Sequence, residues 1–171
     1  LKLDATAGNA NYPVMFEPPD ALVNSGLGLE VWIYASGGSN YGGCHVWISE
    51  DGETYKRIGM ISGKSRQGVL TSSLPTSSTS IDTSNTLAVN LSMSEGTLAS
   101  GTQTDADNLN TLCYVGGELI AYETATLTSA NNYNLTYLQR GAYATTISSH
   151  DANTQFVRCD DVCLKYPFTE A

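Results

Sequence analysis

Charged residues are scarce in this 171-residue chain, at 15%, and cations are scarcer still: eight Lys and Arg against seventeen Asp and Glu, a net charge of −9. Nucleic-acid binding driven by phosphate contacts needs clustered cations, so that class has no electrostatic footprint here, and anionic membranes are disfavoured for the same reason. No apolar run reaches the roughly 18 residues that span a bilayer, and the opening LKLDATAGNANYPVMF lacks the basic-then-apolar plan of a signal peptide. The chain reads as soluble and, starting without Met, as a processed product or an excised piece. Cysteine is thin as well. Cys44, Cys113, Cys159 and Cys163 make up about 2% of the residues, too few to be needed as staples at this length, and read as mostly reduced, small apolar side chains. What is plentiful is Ser and Thr, 37 together, with 16 Gly. That mixture, poor in good helix formers, favours strands and turns within one ordinary domain that can bury a real core.

Residues 1–28, with Pro13, Pro18, Pro19, Gly26 and Gly28, read as an extended lead-in or linker, and 29–171 as a single β domain with a minor sub-boundary in the Ser/Thr-rich stretch 72–84. Leu29-Glu30-Val31-Trp32-Ile33-Tyr34-Ala35 alternates, and Cys44-His45-Val46-Trp47-Ile48-Ser49 does so again before Asp51-Gly52, a hairpin turn leading into Thr54–Gly59. Leu87, Val89, Leu91 and Met93 define the inner face of a further strand. Gly116-Gly117 joins Leu112–Val115 to Glu118–Glu123, and residues 129–132 join Ala125–Thr128 to Tyr133–Leu138. One short helix is predicted near 104–109, capped by Thr104 with Asp107 in its first turn. Closing strands fall at Gln155–Arg158 and Val162–Tyr166. Short strands without alternating helices predict an all-β fold, an antiparallel sandwich or barrel of hairpins.

Catalytic constellations are hard to assemble from these residues. Gly-x-Ser-x-Gly is absent, His150 lies in a polar turn, and Cys44 and His45, adjacent on a strand, point to opposite faces. Glu118 and Glu123, five residues apart, also face oppositely and read as hairpin-edge carboxylates rather than a glycosidase pair. Cys159-Asp160-Asp161-Val162-Cys163 lacks zinc-ribbon spacing, and Asp105-Ala106-Asp107 lacks the rest of a calcium loop, so no metal or cofactor is expected. If Leu29, Val31 and Ile33 face a core shared with Cys44, Val46 and Ile48, then Trp32, Tyr34, His45 and Trp47 share the opposite face, beside Tyr41. Such a face has three readings: an inter-domain or inter-subunit contact, burial under a second sheet of the same domain, or a platform for sugars or a receptor. Arg140 is expected to pair with Glu118 or Glu123 across the hairpins as a structural lock.

Five segments carry a family resemblance: Pro13-Val14-Met15-Phe16-Glu17-Pro18-Pro19; Leu29-Glu30-Val31-Trp32-Ile33; Gly43 to Gly52; Gly117-Glu118-Leu119-Ile120-Ala121-Tyr122; and Tyr133-x-Leu135-Thr136-x-Leu138-x-Arg140-Gly141. Together they resemble a module of the large tail-tip hub proteins of long-tailed phages and related gene transfer agents. Gly117, Glu118, Tyr122, Arg140 and Gly141 belong to the two most specific segments; one departure is Ala144, which stands before Thr145 where such proteins usually have Gly. The resemblance implies a non-enzymatic virion component at the host-facing end of a tail, made in the bacterial cytoplasm, and one domain of a longer baseplate-hub protein. Its implied partners are other tail-tip proteins or domains of the parent, with host-surface glycan or receptor binding as the alternative role.

Overall fold

The computed structural model describes residues 8–23 and 29–168. Its centre is a closed, all-antiparallel barrel of six strands. These are β5 (Gln67–Leu70), β7 (Leu87–Asn90), β8 (Cys113–Val115), β9 (Glu118–Ser129), β10 (Asn132–Gln139) and β11 (Gln155–Arg158), following β1 (Val14–Phe16), β2 (Leu29–Tyr34), β3 (Cys44–Ile48), β4 (Lys56–Ile61) and the two-residue β6 (Ile81–Asp82). A last strand, β12 (Leu164–Phe168), ends the described chain. Around the barrel the order runs β7-β5-β11-β8-β9-β10, and β10 pairs back with β7 through Leu135 opposite Leu87, which closes the ring and removes its open edges. β6 is stitched onto the end of β10, and Leu74 bridges His150, so the 72–84 stretch is tied to the barrel wall.

Alternation fills the barrel. Leu87, Val89, Leu91, Val115, Ile120, Tyr122, Leu135, Leu138 and Phe156 form one buried cluster. Gly116 and Gly117 both take positive φ, +50° and +103°, as a two-residue hairpin turn that suits the strand twist requires. The two apolar pieces read on either side of Thr124 are one strand: β9 runs unbroken for twelve residues, pairing first with β8 and then with β10. The apolar spacing 133, 135, 138 breaks period two because Tyr137 sits at φ +52° inside β10; its hydroxyl donates to Asp107 Oδ1 at 3.1 Å and accepts from Gln103 Nε2 at 2.7 Å. Those two partners belong to α1 (Gln103–Asp107), the one α-helix among the described residues, which starts earlier than expected. Thr102, not Thr104, is its cap, because Thr102 and Asp105 bond reciprocally as a capping box while Asp107 is engaged by Tyr137.

Two further layers cover one side of the barrel. β1, β2 and β12 form a three-stranded sheet, and β3 and β4 form a separate hairpin packed on its outer surface. The turn between β3 and β4 is held by the Asp51 carboxylate, which accepts from the backbone N–H of Glu53 and Thr54. The proline-bearing lead-in is therefore partly regular: Val14–Phe16 pairs with Trp32–Tyr34, and only 1–7 and 24–28 of that segment lie outside the described residues. No helix among the described residues is long and apolar enough to cross a membrane.

Candidate functional site

Two clusters hold the residues singled out from the sequence. The first is polar and buried at one end of the barrel. Antiparallel pairing places Gln139 opposite Ala121, so Arg140 leaves β10 level with Ile120, two residues short of Glu118, whereas Glu123 lies opposite Tyr137, farther back along the strand. Each of the five guanidinium N–H groups finds an acceptor. Nε and Nη2 bond the two Glu118 oxygens at 2.8 and 2.9 Å, Nη2 also bonds Ser148 O at 2.7 Å, and Nη1 bonds Pro75 O at 3.0 Å and Asp82 Oδ2 at 3.3 Å. Glu118 in turn accepts from the backbone N–H of Gly141 and Ser148 and sits 2.8 Å from His150 Nε2. Burial would raise the Glu118 carboxyl, but the hydrogen bonds from His150 and Arg140 and the guanidinium charge outweigh it and hold it down at about 2. Asp82 is likewise lowered: burial opposes, and hydrogen bonds from Asn85 and Ser84 together with Arg140 prevail.

Sequence reasoning left Arg140 to pair with Glu118 or Glu123, of which the structure shows Glu118, and it missed Asp82 and His150. The signal for Asp82 was local: Asp82-Thr83-Ser84-Asn85 has the composition of an Asx turn, and its carboxylate caps the N–H groups of Ser84 and Asn85. With the Arg140, Asp82, Glu118 and His150 side chains at 0%, 2%, 0% and 4% exposure, the cluster has no open position for a substrate. It works as a tie between the β8–β9 turn, the end of β10 and the 72–84 loop. Tyr122, from the same signature, is buried and donates to Ala99 O at 3.2 Å. Gly141 takes φ +64° and Ala144 φ +62°. A non-glycine residue pays roughly 1 kcal/mol for that region, so Ala144→Gly is expected to stabilise the chain by up to about 1 kcal/mol, read as a rise in the urea midpoint.

The second cluster is aromatic, and here the structure corrects the sequence reading. Trp32, Tyr34, Tyr41, His45 and Trp47 do not share one face. β2 and β3 are not neighbours in a sheet; they belong to stacked layers, so Val31 and Ile33 do meet Cys44 and Val46 between the layers, while the opposite faces point away from each other. On β2 that face looks inward. Trp32 and Tyr34 are buried against the barrel, where Phe16 stacks on Tyr114 at 4.0 Å and on Tyr34 at 6.0 Å. Trp32 donates to Glu30 Oε1 at 2.6 Å, and Lys165 caps its ring 4.0 Å from the centroid. On β3 that face looks outward. Trp47 is 54% exposed, His45 is exposed opposite Met60, and Arg57 stands opposite Trp47 with no partner among the described residues. Tyr41 is half-buried and donates to Cys44 Sγ at 3.3 Å. Beside Trp47 and His45 an open groove of about 290 Å³ runs between the hairpin and β1, floored by Ile33 and Ala35 and edged by Pro13 and Met15.

Among the described residues, no three or more His, Cys, Asp or Glu side chains converge to hold a metal. Residues 65–157 match the family model described as Rcc01698-like, C-terminal, which is more than half of the chain and spans the barrel from the start of β5 into β11. The chain belongs to the Rcc01698-like C-terminal family. The buried Arg140 cluster lies inside the matched segment, whereas the hairpin carrying Trp47 and the three-stranded sheet lie outside it. No curated protein matches the chain.

Proposed function

We propose that this Rcc01698-like chain is a non-enzymatic structural domain of a phage-type tail-tip or baseplate-hub protein, acting in the virion at the host-facing end of the tail. The observation that best supports this reading is the division of the molecule. A barrel with a fully satisfied buried ion cluster is a rigid support, and an exposed tryptophan, Trp47, stands on an appended hairpin where it can contact a neighbour. The segments resembling tail-tip hub proteins fall in both parts. Partners on this reading are adjoining domains of a longer parent or other tail-tip proteins. Antibody detection of the chain in purified tail particles tests it; particles of full protein complement that lack the chain would reject it.

A second reading, recognition of a host-surface glycan, draws on one specific observation: Arg57, without a partner among the described residues, lies directly across from exposed Trp47, offering a stacking ring and a cation to an acidic sugar. Trp47→Ala is expected to leave the chain folded, at a cost of about 1 kcal/mol in the urea midpoint, because just over half of the residue is in solvent. If the glycan reading holds, the labelled wild-type chain binds host envelope glycans saturably and the variant does not. If the contact is architectural, neither binds, and the variant instead fails to enter tail particles.

A further inference from the structure

The chain passes between barrel and outer layers at two described places, 62–66 from β4 to β5 and 159–163 from β11 to β12. These crossings are bound together: Ser65 Oγ donates to Val162 O at 2.6 Å, Arg66 Nε donates to Asp160 Oδ2 at 2.8 Å, and Arg158 N donates to Arg66 O at 3.0 Å. Within the second crossing Asp160 Oδ1 accepts from Val162 N at 3.1 Å, folding a tight turn whose two ends are Cys159 and Cys163. Both cysteines are free thiols, partly buried, and pack into the aromatic cluster beneath the sheet. Both pack on the cluster that holds Tyr34, whose buried hydroxyl has no hydrogen-bond partner among the described residues. The two thiols thus stand four residues apart, at the two ends of one bend and against one cluster, and rotation of their side chains is what must bring the sulfurs to bonding distance.

We propose that Cys159 and Cys163 form a redox pair that closes into a disulfide within the turn, a covalent staple at the neck between barrel and outer layers. With a small-molecule disulfide such as oxidised glutathione as oxidant, the less enclosed Cys163 attacks as thiolate, breaks the glutathione S–S bond and releases one glutathione. Cys159 then attacks the mixed disulfide and expels the second. Two thiol protons and two electrons leave the protein, and one oxidised glutathione becomes two reduced ones. Burial raises both thiols, Cys159 to about 12, so exchange in the folded chain is slow and closure accompanies folding in an oxidising medium. In a reducing compartment the same turn stays open.

The test starts from the reduced, denatured full chain, refolded in a mixture of reduced and oxidised glutathione, acid-quenched, alkylated and digested with trypsin. Cleavage after Arg158 and Lys165 puts both cysteines on one peptide, 159–165. That peptide is expected unalkylated and lighter by two hydrogens, with Cys44 and Cys113 alkylated as free thiols, and the oxidised chain should unfold at a higher temperature than the reduced one. In a Cys159→Ala chain, Cys163 should instead retain a glutathione adduct and the redox dependence of unfolding should vanish. A folded wild-type chain with both cysteines alkylated, or with glutathione persisting on Cys163, overturns the pairing. A closed ring that leaves the unfolding temperature unchanged overturns the staple.

Discussion

Arg140→Met is expected to cost about 3–5 kcal/mol of folding stability, enough to leave many small domains largely unfolded, as measured by urea denaturation. The loss does not come from the strength of one ion pair in water. It comes from what stays behind: the Glu118 and Asp82 carboxylates at 0% and 2% exposure, stripped of their common cation, and the carbonyls of Pro75 and Ser148 without a donor. Arg140→Lys should recover little of the loss, because an ammonium has three hydrogens and no planar fork, whereas this site uses five N–H groups, two of them on one carboxylate. A Lys variant as stable as the wild type would show that charge alone, and not the fork, holds the barrel end.

The same cluster sets an acid limit. Glu118 is held at about 2 in the folded chain against an ordinary 4.5, so its contribution is fully present above pH 4.5 and is lost as the pH falls from there toward 2. The lowering corresponds to roughly 3 kcal/mol between neutral pH and pH 2. Unfolding midpoints followed down that range should fall most steeply below pH 4.5. A Glu118→Gln chain, already weakened by a donor facing Arg140, should show a flatter decline; parallel profiles would place the acid sensitivity elsewhere.

Local chemistry was legible in the sequence wherever a short segment decides its own shape. Asp51-Gly52, Gly116-Gly117 and the alternation of Leu87, Val89 and Leu91 each specify a turn or an inward face without reference to the rest of the chain. That Arg140 locks to a carboxylate across the hairpins was legible for a related reason, since it follows the strand next to the one that carries Glu118 and Glu123; which of the two it takes depends on register, which shows Glu118. Layering was not. Alternation on β2 separates Glu30, Trp32 and Tyr34 from Val31 and Ile33 but says nothing of what covers each side, and β2 proved to be a middle layer with both faces buried. Exposed and buried aromatics look alike in such a pattern, which is why Trp47 and Trp32 were placed together. Asp82 and His150 were lost for the converse reason: they sit in polar loops where an acid or a histidine is unremarkable, and only barrel closure brings them to Arg140.

Gly68→Ala is the second large effect expected, at least about 3 kcal/mol or outright failure to fold, and its cause is steric. A methyl group at residue 68 would stand 1.9 Å from Asn90 O and 3.1 Å from Leu91 Cα, with ordinary contact beginning more than 1 Å farther from that oxygen. Both obstacles are backbone, so no rotamer change relieves them. Gly68 lies on β5 beside the end of β7, where Val69 pairs with Asn90 and the chain then turns across the barrel mouth so that Ser94 Oγ reaches Gln67 O at 2.7 Å. Making room means separating β5 from β7, one seam of a closed six-stranded ring, and a ring opened at one seam exposes two strand edges together with the Leu70–Val89 pair. Backbone freedom is not the issue, because φ here is not in the left-handed region. A Gly68→Ala chain with wild-type urea midpoint and unchanged amide-exchange protection along β5 and β7 would mean that this seam yields by more than 1 Å without cost, and the close approach would then be no reason for glycine at this position.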